Sequence, residues 1–237
     1  MSTFLLVHGA WHGAWCWHKL VPRLEKAGHV VVAPDLPAMG RDHTPVNRVS
    51  LATWRKHVCR VVDELRGPVV LVGHSRGGIV ISEVAEHRPE RIQMLVYLCA
   101  FLPRNGESLF DLAGKDESSL VPGNMMMSED KSSSTVRAEV LRDAFYGECS
   151  DDDVALARLC VQPEPTLPLA TPVKLSAENF DRVPRVYIEC LRDRAIPPAL
   201  QRQMHSASPC QRVLALDTDH SPFFSKPDEL AALLTGL

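Results

Sequence analysis

Gly73-His74-Ser75-Arg76-Gly77 sets a serine between glycines where the apolar run Val69 to Val72 ends and Ile79-Val80-Ile81 begins. The Gly-x-Ser-x-Gly spacing suits a sharp strand-to-helix turn that presents a serine oxygen at the carboxyl edge of a sheet. Small residues two before and two after the serine let strand and helix backbones approach. A plain glycine-rich turn could share the pentapeptide, but here the flanking strand and helix patterns are both present. A hydroxyl is a poor nucleophile until a base takes its proton, so Ser75 requires a histidine at the end of a later strand. Thr218-Asp219-His220-Ser221-Pro222 follows the apolar run Val213 to Leu216, which makes His220 the candidate base. His74 belongs to the turn with its side chain directed away from the serine, His205 falls in a helix and His87 closes another.

An imidazole that accepts a proton needs an anion to fix its tautomer and stabilise the imidazolium. Asp193, in Cys190-Leu-Arg-Asp-Arg-Ala-Ile-Pro-Pro, comes just after the strand pattern Arg185 to Cys190 and gives the chain order serine, acid, histidine. Asp217 and Asp219 are too close to His220 in sequence to reach its far nitrogen easily, and Glu189 lies inside the strand. With arginines on both sides, an ion-paired loop residue is the alternative reading of Asp193, the triad acid the favoured one. Acyl transfer also needs two donors aimed at the developing oxyanion. The backbone N–H of Arg76, directly after the serine, is one candidate; the N–H of Ala10, in the turn His8-Gly9-Ala10-Trp11 after the first strand, is the other. The Arg76 side chain is expected to be exposed and without a catalytic role.

Elements that could position these groups alternate as β and α through the first two-fifths of the chain. Strands are expected at Phe4 to Val7, His29 to Ala33, Val69 to Val72 and Ile92 to Cys99, with helices at Trp17 to Ala27, Ser50 to Arg66 and Ile79 to His87. Short β-branched strands separated by helical stretches imply βαβ units and a parallel sheet covered on both faces. The rhythm breaks after Phe101-Leu102-Pro103. It returns with Arg185 to Cys190, a helix from Pro198, the strand Arg212 to Leu216 and a closing helix from Pro227. The fold class is therefore α/β, a doubly wound, mostly parallel sheet. Residues 1–103 and 183–237 form its core, and 104–182 are a helical cap insertion with helices at Thr135 to Phe145 and after Ser150. Trp11, Met126 and Phe145 are candidates to line an apolar pocket, though ordinary packing explains each as well.

A net charge of -3, with 45% hydrophobic and 23% charged residues, gives no electrostatic reason to expect nucleic acid or anionic lipid as a partner. No run of apolar residues reaches membrane-spanning length, and the first residues lack a secretory pattern, so a cytoplasmic protein with no membrane partner is expected. Seven cysteines without a Cys-x-x-Cys pair fit reduced thiols. Ten histidines include no His-Glu-x-x-His and no Cys/His knuckle, so no metal site is expected.

The segments LLVHGAWHGAWCWHKLVPRLEKAGHVVVAPDLPAMG, VVLVGHSRGGIVISEVAE, CSDDDVALARL, RVYIECLRDRAIP and TDHSPFF resemble the branch of the α/β-hydrolase superfamily that holds methylesterases of the salicylate-binding type and hydroxynitrile lyases. The resemblance spans nearly the whole chain and is weakest between about Arg104 and Ser134. It implies a capped doubly wound sheet, no cofactor and frequent homodimers, with Ser75, Asp193 and His220 at the triad positions and Ala10 and Arg76 at the oxyanion positions. Lyases of this branch typically carry a hydroxyl or amide residue after the first histidine, and in the rubber-tree type a lysine after the catalytic histidine; this chain has Gly9 and Ser221. The expected activity is therefore carboxylesterase action on small to medium hydrophobic esters, such as methyl or pyrethroid-like esters. The alternatives are a hydroxynitrile lyase, a carbon-carbon bond hydrolase, and a small-ligand receptor with an idle triad.

Overall fold

The computed structural model describes residues 1–237 and contains nine strands: β1 (Thr3–Val7), β2 (Val30–Val32), β3 (Val69–His74), β4 (Ile92–Leu98), β5 (Met125–Met127), β6 (Ser133–Val136), β7 (Glu164–Pro165), β8 (Arg185–Cys190) and β9 (Arg212–Leu216). Six of them pair in the order β2-β1-β3-β4-β8-β9, and every pair is parallel. Parallel neighbours need crossovers, which α1 (Val21–Lys26), α2 (Leu51–Glu64) and α3 (Gly77–His87) supply between the first four strands.

Period-two alternation sorts the strand side chains into two cores. Leu5, Val7, Leu71 and Tyr97 pack on one face with Trp54 of α2 and Val84 of α3. Leu6, Val70, Val72 and Leu98 pack on the other with Trp17 and with Leu230 of the closing helix Pro227–Thr235. Helices thus cover both faces, which is why the inner strands are mostly apolar, with Gln93 of β4 and Arg185 and Glu189 of β8 among the polar exceptions. The chain winds outward in both directions from the β1/β3 pair. That reversal opens a crevice at the carboxyl ends of these two strands.

Local chemistry sets most boundaries. Ser50 accepts the Thr53 N–H while Thr53 accepts from the Ser50 backbone, a reciprocal cap that starts α2. Gly28 and Gly67, at φ +87° and +71°, take left-handed conformations after α1 and α2. The expected helix from Trp17 to Ala27 is instead a 3-10 segment, Ala14–Lys19, followed by the short α1.

Residues 104–182 depart from an all-helical cap. Strands β5, β6 and β7 form a small antiparallel sheet, and the helix expected from Thr135 is confined to Leu141–Phe145. Ser133-Ser134-Thr135-Val136 is poor helix sequence, since hydroxyl side chains compete for backbone hydrogen bonds and β-branched ones are restricted in a helix; pairing with β5 wins. The helix Asp151–Cys160 forms as the sequence predicts, capped by Ser150, and its Asp153 pairs with Lys19 at 2.6 Å. No helix is long and apolar enough to cross a membrane.

Candidate active site

Ser75 sits between β3 and α3 with φ +53°, a left-handed conformation that a non-glycine residue holds only when its surroundings enforce it. The glycines explain how. A Cβ on Gly73 would stand 2.9 Å from the Gly77 carbonyl, one on Gly77 2.6 Å from the Val7 oxygen, and one on Gly78 2.0 Å from the Phe101 oxygen. Strand and helix therefore close tightly on the serine. Its carbonyl accepts the N–H groups of Gly78 and Phe101, which fixes the turn to β4's exit loop.

The ends of β8 and β9 bring a second pair of residues to the same edge. His220 Nδ1 lies 2.6 Å from Asp193 Oδ2, with both side chains almost completely buried. Asp193 is no ion-paired surface residue: its Oδ1 accepts the N–H groups of Ala195 and Ile196, and Gln201 Nε2 donates to Oδ2. The neighbouring Arg192 turns away to Asp217 and Glu148. The competing histidines are occupied elsewhere. His74 Nε2 donates to the His220 carbonyl at 2.8 Å, and His205 Nε2 lies 2.8 Å from Glu189 Oε1.

Residues 8–12, after β1, run alongside the serine turn, so that a Cβ on Gly9 would lie 3.0 Å from the Ser75 Cβ. Side chains and a distant backbone N–H hold this loop at Gly9, Ala10 and Trp11. The Gly9 carbonyl accepts from His8 Nδ1 and Arg76 Nη2, the Ala10 carbonyl accepts from His12 Nδ1, and the Trp11 N–H donates to Glu164 Oε2. Tyr146 completes the chain by donating to His12 Nε2 at 2.6 Å. Burial lowers His8 and His74 well below the ordinary histidine range and His12 to about 4, so all three are neutral at pH 7.

Ala10, Trp11, Ser75, Arg76 and Phe145 line one cavity of about 210 Å³, and thirteen of its 18 lining residues are apolar. Met126 does not take part. It is exposed, while its strand neighbour Met125 lines the cavity, because successive residues of a strand face opposite sides.

Residues 4–233 match the family model described as the alpha/beta hydrolase family. The chain belongs to the α/β-hydrolases. Methylesterase 7 of Arabidopsis thaliana is 34% identical over 246 residues, covering 98% of this chain and 95% of its own length, which sets the chain within the methylesterase branch of the hydrolases. The chain spans 56 to 71% of the length of several chloroplastic methylesterases from the same plant. Among solved structures, polyneuridine aldehyde esterase superposes with a TM-score of 0.90 at 27% identity, covering 100% of this chain and 98% of that one. A pyrethroid hydrolase from Sphingobium faniae JZ-2 gives 0.85 at 28% identity, covering 99% and 96%.

Besides Met126, this hydrolase departs from its sequence-based expectation at Arg76. The Arg76 side chain is not exposed but fully buried, its Nε 2.8 Å from Glu164 Oε1 and its guanidinium stacked 4.1 Å from the Trp54 ring centroid. The turn does present residue 76 away from the sheet, but the small sheet of residues 104–182 covers that direction. Glu164 and Gln201 were not legible as site residues. The only hint of the first was a carboxylate between Pro163 and Pro165 in a segment otherwise short of features; Gln201 gave none.

Proposed function

We propose that this α/β-hydrolase is a serine carboxylesterase acting on uncharged, apolar esters through an acyl-enzyme. The observation that carries this reading is the Ser75 turn, at φ +53° on the apolar cavity, at the same sheet edge as a buried His220–Asp193 pair 2.6 Å apart. Asp193 keeps the proton on His220 Nδ1 and leaves Nε2 to accept the serine proton as Ser75 Oγ attacks the ester carbonyl. The carbonyl electron pair moves onto oxygen, where the N–H groups of Ala10 and Arg76 receive it; one such donor is worth about 10²–10³ in kcat. Collapse expels the alcohol, protonated by His220, and water activated by the same imidazole releases the acid.

Apolar lining favours an apolar acyl group, and the one charged lining residue, Arg76, has its guanidinium engaged by Glu164. A cavity of about 210 Å³ suits short to medium acyl chains. Hydrolysis is favoured over cyanohydrin cleavage because Gly9 has no side chain to hold a cyanohydrin hydroxyl beside Ser75, and Ser221 offers no cation.

The test compares wild type and Ser75→Ala on p-nitrophenyl acetate, butyrate and octanoate, with mandelonitrile cleavage assayed in parallel. Ester turnover should fall by at least about 10³-fold in Ser75→Ala, without cyanide release from either protein. Equal activity in the two proteins, or cyanide from the wild type, overturns the reading.

A further inference from the structure

We propose that the buried Arg76–Glu164 pair is a positioning device for the oxyanion hole, joining residues 104–182 to the Ala10 donor. The inference rests on the esterase reading and adds two residues whose side chains never meet substrate. A trans peptide is planar, so its C=O and N–H point in opposite directions and fixing one fixes the other. Arg76 Nη2 holds the Gly9 carbonyl at 2.9 Å, and the N–H of that same peptide unit is the Ala10 donor. Glu164 Oε2 holds the Trp11 N–H at 2.9 Å, fixing the second peptide plane that flanks Ala10. Trp11 has φ +61°, a strained conformation that needs such restraint. The other donor is the Arg76 backbone itself, so one residue supplies one N–H and aims the second.

A stabilising ion pair alone is a poor account of this arrangement. Both side chains are fully inaccessible, and Arg76 Nη1 has no hydrogen-bond partner. Burial lowers the arginine's affinity for its proton and raises the carboxyl's, as desolvation of each charge demands. A buried pair of this kind is often no more stabilising than apolar residues of equal volume. What an apolar pair could not do is hydrogen-bond both peptide units that flank Ala10.

Arg76→Lys keeps a cation for Glu164 and the backbone N–H at 76, but lacks the second nitrogen that reaches Gly9. Arg76→Met/Glu164→Gln removes both charges at similar volume. On p-nitrophenyl butyrate each should lose about 10- to 100-fold in kcat with KM within about threefold, since a displaced donor costs the transition state and not the bound ester. Affinity for an alkyl trifluoromethyl ketone, which forms an oxyanion on Ser75, should fall by the same factor as kcat/KM. Melting temperatures are measured alongside; if the double variant fails to fold, Arg76→Lys alone decides. Wild-type kcat and ketone affinity in a folded variant overturn the device while leaving the esterase standing. Wild-type turnover that survives Ser75→Ala overturns both.

Discussion

Asp193 shows how much one atom's partners determine. Its Oδ1 is committed to two backbone N–H groups, so only Oδ2 is left to face His220. In Asp193→Asn the amide oxygen must keep those two donors, which turns the NH₂ toward His220 Nδ1. Nδ1 then has to accept, the imidazole proton moves to Nε2, and the nitrogen needed for the serine proton is blocked. The expected result is a loss of about 10⁴ in kcat at pH 7 with little change in melting temperature. A loss below about tenfold would show that Asp193 does not set the tautomer.

Between elements, the turn that carries His220 is tied to the inserted segment by Asp219. Its Oδ2 accepts the Glu148 N–H at 2.8 Å and faces the Cys149 thiol, while its Oδ1 accepts the Ser221 N–H and the Ser225 hydroxyl. With the Thr218 hydroxyl, five donors meet on one carboxylate, and three elements depend on it: β9's exit, the short helix Pro222–Ser225 and the loop before helix Asp151–Cys160. Removing it leaves the buried Ser221 N–H and the part-buried Glu148 N–H without their acceptor, at about 1–3 kcal/mol for each group that water does not reach. Asp219→Ala is therefore expected to lower unfolding free energy by about 3 kcal/mol in urea denaturation and to reduce kcat through a loosened His220. Unchanged stability would show that the turn holds itself without the staple.

For the molecule as a whole, the neutral histidines beneath the site couple folding to pH. His8, His12 and His74 are fully buried, and burial lowers each, His12 to about 4 from the usual 6.5. Between those two values the unfolded chain binds more protons than the folded one, so stability is greatest above pH 6.5 and declines as pH falls toward 4. His12 alone accounts for about 3 kcal/mol of that decline. Urea midpoints measured from pH 7.5 to 4.5 should drop steeply in wild type and less steeply in His12→Gln; parallel curves would mean that His12 titrates normally.

The sequence by itself determined which residues are candidates for the chemistry and the order of the elements that carry them. Glycines at 73, 77 and 78 announce a turn too tight for side chains, apolar runs at β1, β3, β4 and β8 announce a sheet covered on both faces, and the serine-acid-histidine order follows from which strand ends carry them. These signals are local, a few residues reporting on their own backbone. Tertiary structure decided what lies far apart in the chain. Glu164 meets Trp11 across 153 positions and Arg76 across 88, and no periodicity or turn signal encodes such a pairing. The same is true of Met125 facing the cavity in place of Met126. Strand parity is readable in sequence, but which side of a short, half-exposed strand faces inward depends on what packs against it.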